Sequence, residues 1–332
     1  MIISLRFDMR AHPDGPDHAE LYDAVLDMCE WGERVGDHLF VSVSEHHGAD
    51  DGYLPSPFIL AAAIAGRTRT ANVLVAALIL PLHDPVRIAE DVAVLDQISG
   101  GRVDVIYGAG YRDEEFATFG VDITRRAELM DDGLRILETA WTGEPFEHRG
   151  TTVRVTPKPR RQPRPPLLLG GSSPAAARRA ARLDATFIPS TDDCLEAYEG
   201  ELRRLGKDVP PRLTENRPPS IALVHPDPDQ AWADYGHHLL HDMQTYWGWL
   251  RDGRGGTGPY RDVADIEALR ADGRYVIVTP DECAALGAQW GALDLYPLVG
   301  GLPPAAARAS LDLIEHEVVP AVAAAIAASH LS

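Results

Sequence analysis

The stretch HLFVSVSEHH, residues 38–47, is an alternating β-strand pattern that ends in three titratable side chains. Successive side chains on a strand point to opposite faces. One face is therefore aliphatic, and the other carries two serines and ends in His46. The aliphatic face comprises Leu39, Val41 and Val43, and the opposite face comprises Phe40, Ser42, Ser44 and His46.

The position of His46 follows from the way such strands pack. In a barrel of parallel strands covered by helices, we expect the aliphatic face to meet the helices and the serine face to point inward. His46 then lies at the barrel mouth, above small side chains that leave room for a ligand. Glu45 and His47 point the other way, so the two adjacent histidines are not expected to bind one metal ion. The alternative is a purely structural pair, since histidine is also common in that role.

Composition narrows the class of protein. The chain has 332 residues, 45% of them hydrophobic, and a net charge of −19. This length suits one barrel domain or two smaller domains. The negative charge argues against nucleic-acid or anionic-membrane partners and favours an enzyme that acts on small molecules. The three cysteines are isolated in the sequence, so we expect neither disulfides nor a zinc site. We also find no signal-peptide pattern and no apolar run long enough to span a bilayer, and we therefore expect a cytoplasmic protein.

Strand-like and helix-like patterns alternate along the chain. The first seven strands are predicted at 2–7, 38–44, 72–80, 103–107, 166–169, 186–189 and 220–224, helices at 57–66, 84–98 and 125–141, and a hairpin at 147–155. The eighth strand is predicted at 275–278 or at 293–299, and the second position is preferred because a long helix, 304–328, comes after it. Eight βα units predict a single α/β domain over residues 1–332, a closed (β/α)8 TIM barrel, with a doubly wound sheet as the alternative.

One segment, about 244–274, interrupts this alternation. It contains Trp247, Trp249, Tyr260 and the glycine-rich run DGRGGTGPY. Long segments without secondary structure in a compact domain are typically lids or tolerated insertions. The aromatic residues favour an inserted lid over the barrel mouth.

The run Gly170-Gly171-Ser172-Ser173-Pro174 marks a possible anion site. Glycines permit close backbone approach, a serine can cap a helix, and proline suits the first helical position. Free N–H groups at a helix start favour an anion such as phosphate. An ordinary capped turn requires the same residue types, so both readings stay open.

Several short blocks of the chain are specific in sequence and order. They are Glu45-His46-His47, the run from Asn72 through Pro81 to Arg87, Glu90-Asp91, the run Leu95 to Arg102, Phe116, Phe119-Gly120-Val121-Asp122 and the final block Glu317-Val318-Val319-Pro320. Together these blocks resemble the bacterial luciferase-like flavin monooxygenases, and the resemblance runs over nearly the whole length of the chain.

The resemblance implies a barrel with an inserted lid, usually dimeric, and assigns residue roles. The catalytic histidine falls on His46, and a non-prolyl cis peptide falls on Ala76–Ala77, behind the flavin ring. The remaining cofactor-binding positions surround the flavin phosphate, and the substrate side includes the lid. The phosphate positions are Gly171, Ser172, Ser173, Ser190, Thr191 and Arg126 or its neighbour Arg125, and the substrate and lid positions are His47, Tyr111, Trp247, Trp249 and Tyr260.

The resemblance also implies the chemistry. Family members combine reduced flavin with dioxygen through a C4a-peroxyflavin, and a histidine moves protons. Other members use a 5-deazaflavin coenzyme for hydride transfer and typically carry Asp-His after strand two. The Glu45-His46-His47 sequence resembles the oxygen-using branch, so FMNH2 is the expected cofactor. Ala109 stands where many relatives have a phosphate-binding arginine, which implies weak, exchangeable FMN and a separate NAD(P)H-dependent flavin reductase.

Two functions of other classes remain open at this point. A metal-dependent barrel hydrolase would use His46 together with His47, Asp50 or Asp51 as ligands. The opposite faces of the two histidines argue against this possibility, and no metal-binding residue is assigned. A flavin-binding protein without turnover is the second alternative, because a fold does not guarantee chemistry.

Overall fold

The computed structural model describes residues 1–210, 218–252 and 260–329, with the side chains of 328 and 329 left out. The strands in these ranges are β1 Ile2–Phe7, β2 His38–Val43, β3 Asn72–Ile79, β4 Val103–Gly108, β5 Phe146–His148, β6 Thr151–Val153, β7 Leu168–Gly171, β8 Thr186–Pro189, β9 Ser220–Val224, β10 Tyr275–Val278 and β11 Ala292–Leu295. The helices are α1 His18–Val35, α2 Pro57–Arg67, α3 Pro85–Ser99, α4 Asp113–Thr118, α5 Arg126–Trp141, α6 Pro174–Arg182, α7 Asp192–Arg204, α8 Pro228–Asp252, α9 Ile266–Asp272, α10 Pro280–Trp290, α11 Pro304–Leu313 and α12 Val319–Ser329.

Nine strands form one sheet in the order β10-β9-β11-β1-β2-β3-β4-β7-β8, and each neighbouring pair is parallel. The predicted (β/α)8 TIM-barrel fold is confirmed. The preferred eighth strand is also confirmed, because β11 pairs with β1. The competing segment is a strand as well: β10 pairs with β9. β5 and β6 form the predicted antiparallel hairpin outside the sheet.

The faces of the strands divide as the alternation predicts. Leu39, Val41 and Val43 of β2 are at most 2% exposed. A Cβ placed on Gly32 of α1 would lie 2.8 Å from Leu39 Cδ1, so this helix packs directly on the aliphatic face. Hydrophobic burial on that face directs the alternate side chains to the opposite face, on which Ser42 is half-buried and Phe40, near the start of the strand, is 47% exposed.

Helix boundaries follow the local signals in the sequence. The side chain of Asp84 accepts hydrogen bonds from the first backbone N–H groups of α3, Pro85 occupies the first turn, and Gly100 ends the helix at φ 68°. Thr279 and Glu282 form a reciprocal capping box at the start of α10. These residues satisfy backbone groups that a helix end leaves unpaired.

The predicted lid segment requires correction. Its first nine residues, 244–252, continue α8, and α9 forms near its end. The glycine-rich run and the absence of a clear strand suggested an irregular segment, but Leu239, Met243 and Tyr246 are buried at a helical spacing that tertiary packing enforces. Most of the glycine-rich run, residues 253–259, lies outside the described residues.

Three smaller predictions also need correction. The predicted strand 166–169 starts two residues too early, and β7 includes both glycines that were read as a turn. The predicted terminal helix is interrupted by a π-helical turn at Ile314–Val318 between α11 and α12.

Among the described residues, no helix combines the length and the apolar character needed to cross a bilayer.

A buried ionic network joins the end of β1 to α8. Arg10 is completely buried and pairs with Asp51, with Asp242 of α8 (Nε to Oδ1, 3.2 Å) and with Asp8 (3.7 Å). Burial and the charge of Asp242 raise the pKa of Asp8, whereas Arg10 lowers it. Tyr275 donates a hydrogen bond to Asp242. The network therefore fixes α8 against the C-terminal end of the sheet.

Removing the cation should destabilise the whole protein. We expect Arg10→Met to lower the free energy of unfolding by about 3–5 kcal/mol, because it leaves buried carboxylates without their counter-charge. The matched control is Arg270→Met, whose pair with Asp229 is exposed (side chains 43% and 81% accessible) and should contribute about 1 kcal/mol or less. Denaturant unfolding measures both. Equal, small losses would contradict the importance of the network.

Candidate active site at the barrel mouth

His46 lies just beyond β2 under a cover of aromatic rings. Its backbone N–H donates to Leu54 O (3.1 Å), which fixes the loop that follows the strand. The imidazole is 7% exposed. Four rings surround it, and we call them the mouth aromatics: Tyr53, Tyr111, Tyr246 and Trp249, with ring centroids 4.9, 5.7, 5.7 and 4.7 Å from that of His46.

Glu115 of α4 is the hydrogen-bond partner of His46. The distance between His46 Nδ1 and Glu115 Oε1 is 2.8 Å, and the carboxylate is fully buried. The same oxygen accepts from His47 N (3.0 Å) and from Arg112 Nη1 (3.3 Å). A proton on Nδ1 that points at the carboxylate leaves Nε2 facing Tyr111 Oη, 3.5 Å away. Glu115 thus orients the ring and fixes its tautomer.

Burial and charge set the protonation state of His46. Burial lowers the pKa, the hydrogen bond and charge of Glu115 raise it, and the cations Arg10 and Arg112 lower it, with a net value below that of ordinary histidine. His46 is therefore neutral near pH 7, with one nitrogen able to accept a proton. These are the properties of a general base.

His47 belongs to a separate group, as the strand geometry predicted. Its Nε2 is 3.0 Å from Glu45 Oε1, and His83 Nε2 is 2.7 Å from the same oxygen. Burial raises the pKa of Glu45, but the hydrogen bonds from the two histidines outweigh it and bring the pKa to about 2. Asp51, a possible ligand in the hydrolase alternative, instead pairs with Arg10 and His241. The set of ligands expected for that alternative is therefore not assembled.

The predicted cis peptide between Ala76 and Ala77 is present. Ser44 Oγ, on the inward face of the chain after β2, donates to Ala76 O at 2.6 Å. A Cβ on Gly108 would lie 3.2 Å from Ala77 Cβ, so the adjacent strand also carries a minimal side chain here. Small residues on β3 and β4 therefore keep side chains away from one side of the mouth.

The proposed anion site lies at the start of α6. Ser173 is the N-cap and accepts a hydrogen bond from Ala176 N (3.3 Å), so the capping interpretation is confirmed, while Ser172 is exposed. Ser190 N donates to Gly171 O (3.3 Å), which places Ser190 and Thr191 beside the end of β7. A Cβ on Gly171 would meet Ala176 Cβ at 2.5 Å, so glycine is also needed for packing.

The two arginines considered for this site differ in their surroundings. Arg125 is exposed and forms a bidentate pair with Glu128 (3.0 and 2.9 Å). Arg126 is half-buried at the start of α5. Arg179 of α6 donates to Ala127 O (3.3 Å), which brings the first turn of α5 against α6.

Two arginines, Arg6 and Arg274, contact Tyr260. This ring stacks on Tyr246 with centroids 4.0 Å apart, and its hydroxyl accepts from Arg6 Nη2 (3.1 Å). The guanidinium of Arg274 lies 4.0 Å from the centre of the Tyr260 ring. Within the described ranges, neither arginine has a carboxylate within 4.0 Å. Two guanidinium groups therefore flank one tyrosine on this side of the mouth.

Only some of the predicted substrate and lid residues lie close to His46 in the structure, and other residues that were not predicted complete the site. It brings Tyr111 and Trp249 to His46 and Tyr260 to Tyr246, whereas no ring contact between Trp247 and His46 is found among the described residues. Sequence reasoning missed several residues that complete the site. They are Arg10, Tyr53, Arg112, Glu115 and Tyr246. Glu115 had one detectable signal, an acidic residue next to the buried Phe116 on a short helix.

Known proteins resemble this chain in sequence and in fold. Residues 5–289 match the luciferase-like monooxygenase family. The oxygenase component of a flavin-dependent trigonelline monooxygenase from Acinetobacter baylyi is 26% identical over 60% of this chain and 58% of its own length. The chain spans about half the length of the curated relatives it matches.

Two solved structures share the fold. The oxygenating constituent of 3,6-diketocamphane monooxygenase from Pseudomonas putida, in complex with FMN, superimposes with a TM-score of 0.68, 21% identity and coverage of 96% and 98% of the two chains. An F420-dependent secondary alcohol dehydrogenase, in complex with an F420-acetone adduct, superimposes with a TM-score of 0.62 and 17% identity, and the match covers 96% of this chain and 98% of that chain. At these identities the likeness concerns the fold.

The effect of Glu115 on the pKa of His46 can be tested by mutation. Because Glu115 raises the pKa of His46, Glu115→Gln should move that pKa further below its ordinary value, and any activity that needs neutral His46 should persist to lower pH. The matched control is Glu114→Gln, on the neighbouring residue. NMR titration of isotopically labelled histidine measures the shift directly. An unchanged or raised His46 pKa in a folded Glu115→Gln variant would contradict the assignment.

Proposed function

The chain belongs to the luciferase-like monooxygenase family, and we propose that it is a flavin-dependent monooxygenase that uses FMNH2 and dioxygen at the mouth of its barrel. The observation that carries the proposal is the arrangement of His46: buried beneath the mouth aromatics, hydrogen-bonded through Nδ1 to Glu115, and with Nε2 on the side of the mouth. The only partner found for Nε2 among the described residues is Tyr111 Oη at 3.5 Å, a long contact that leaves this nitrogen able to accept a proton.

The residues present suit FMN. Ala76, Ala77 and Gly108 offer a surface without bulky side chains, against which a planar ring system can lie. The start of α6 and Arg126 offer N–H groups and positive charge for a phosphate. Reduced flavin supplies the electrons that activate dioxygen. Ala109 adds no charge to the phosphate site, which favours exchangeable binding.

His46 has the task of holding and moving a proton at Nε2. Glu115 stabilises the imidazolium that forms when Nε2 accepts a proton, because the carboxylate stays 2.8 Å from Nδ1. Arg10 and Arg112 oppose that charge, which favours return of the proton. The His46–Glu115 pair can therefore act as acid and base in turn near neutral pH.

The mouth aromatics exclude water from His46. Trp249 lies closest, on the last turns of α8, and Arg10 and Arg112 lie 4.6 and 4.1 Å from its ring. Ligand entry requires Trp249 to move aside, so we extend the predicted lid role to the C-terminal part of α8. Closure over a bound substrate would protect the reaction from solvent.

The cations on the side of Tyr260 favour a substrate with an acidic group. Arg6 and Arg274 flank one tyrosine, and a guanidinium binds carboxylate, sulfonate or phosphate through paired hydrogen bonds. We therefore propose a small or medium organic substrate with an anionic group. We also propose a separate flavin reductase as partner, supported by the "oxygenase component" relative, and a homodimer as in the family.

Hydride transfer with a 5-deazaflavin coenzyme is the second candidate. The F420-dependent dehydrogenase shares the fold, which supports it. Glu45-His46-His47 favours FMN instead, and Glu45 has a defined task here: it accepts from both His47 and His83, an arrangement that the shorter Asp side chain would not span in the same way.

Loss of the imidazole should separate chemistry from binding. We expect His46→Ala to reduce single-turnover product formation, with a substrate found by screening acidic compounds, by about 10²- to 10⁴-fold, the usual contribution of a general acid or base. The FMN dissociation constant should change only a few-fold. The matched control is His225→Ala, on a half-buried histidine that follows β9. Undiminished turnover in His46→Ala would refute the proposed role.

The phosphate position can be tested with two neighbouring arginines. We expect Arg126→Gln to weaken FMN binding by about 10- to 100-fold, the equivalent of one charged hydrogen-bond partner. Riboflavin, which lacks the phosphate, should bind the variant and the wild type equally well. Arg125→Gln is the control, because Arg125 already pairs with Glu128. Fluorescence titration gives the constants, and equal effects on FMN and riboflavin would place the phosphate elsewhere.

A further inference from the structure

Four histidines meet beside α8, outside the site described above. His12 follows β1, and its ring centroid lies 5.0, 4.9 and 5.3 Å from those of His237, His238 and His241 of α8. We propose that His12, His237 and His238 bind one divalent transition-metal ion of the borderline class, for which Zn²⁺ is the reference. His241 is a fourth imidazole at the edge of this group. We call these four residues the histidine group.

The spacing is close to that of a zinc site. One nitrogen from each of His12, His237 and His238 lies within 4.8 Å of the other two. Tetrahedral zinc with nitrogen ligands at about 2.0–2.1 Å has ligand atoms about 3.4 Å apart. Rotation of the half-exposed rings of His12 and His237 can close the difference. Three imidazoles are also the ligand set that zinc, copper and nickel accept.

The hydrogen bond of His238 prepares it as a ligand. Its Nδ1 lies 3.1 Å from Gly300 O, so Nδ1 carries the proton and Nε2 keeps a lone pair. Metal-binding histidines typically donate their other N–H to a carbonyl or carboxylate in this way.

His12 can bind a metal ion once it gives up one hydrogen bond, the one from Asp14 N. Its Nδ1 now accepts from Asp14 N (3.1 Å), so the proton of the neutral ring is on Nε2. Metal binding at Nδ1 replaces that contact, and binding at Nε2 moves the proton to Nδ1. Either way Asp14 N–H turns to solvent. His241 Nε2 donates to Asp51 Oδ2 (2.9 Å) and so stays linked to the Arg10 network.

A metal at the histidine group would act on α8. His12 belongs to the segment between β1 and α1, and the other ligands lie on the helix that carries Tyr246 and Trp249 over His46. Binding would cross-link these two segments and favour the covered state of the mouth. Glu45, His47 and His83 also lie close enough to hold a metal, but there both histidines already share one carboxylate in hydrogen bonds.

The test uses tag-free full-length protein after chelator treatment, titrated with Zn²⁺ by calorimetry and with Co²⁺ by visible absorption. We expect one ion per chain, Co²⁺ bands typical of nitrogen ligands, and a higher melting temperature with Zn²⁺. His12→Ala and His237→Gln should each weaken binding by about 10- to 100-fold or more, since even supporting residues of metal sites have effects of that size. His83→Ala and His225→Ala should bind as the wild type does.

Two outcomes would overturn the proposal. One is the absence of saturable binding to the wild type. The other is binding that persists in His237→Gln but is lost in His83→Ala, which places the ion at Glu45. Circular dichroism and melting of each metal-free variant identify misfolding, and the two ligand variants lie on separate segments, so a folding defect in one leaves the other informative.

Discussion

Burial of Arg10 among three carboxylates is the constraint on which the barrel mouth depends. A guanidinium withdrawn from water needs charged hydrogen-bond partners to replace its hydration. Asp8 comes from the end of β1, Asp51 from the loop after β2 and Asp242 from α8, so three segments must meet at one side chain. Arg10 also lies 4.6–4.9 Å from the rings of Tyr53, Tyr246 and Trp249, and the cover over His46 follows from its position.

Each of two adjacent histidines has its own buried carboxylate, and this division sets their roles. Glu115 holds His46 by one nitrogen and leaves the other toward the mouth. Glu45 ties His47 and His83 together and stays ionised well below neutral pH. The first arrangement keeps a proton-transfer group neutral and oriented, and the second fixes the loop that presents it. The functional distinction thus originates in the alternation of a strand.

Local rules predicted much of the fold and the centre of the site. Alternation at 38–44 gave the faces of β2 and the direction of His46, and the family resemblance led to the cis peptide at Ala76–Ala77. Tertiary contacts explain the rest. Glu115 reaches His46 across 69 residues, which no local pattern encodes. The glycine-rich run led to the expectation of an irregular segment from residue 244, where burial maintains α8 as far as Asp252. The histidine group forms only because the segment after β1 and α8 meet in space.

The central claim is that the mouth around His46 accepts reduced FMN. Anaerobic titration of the protein with FMNH2 and with a reduced 5-deazaflavin coenzyme, followed by mixing with oxygenated buffer and absorbance recording, tests it most directly. The account predicts saturable binding of one FMNH2 per chain and an oxidation time course that differs from that of free FMNH2. Tight binding of the deazaflavin, with no saturable binding of FMNH2, would contradict it.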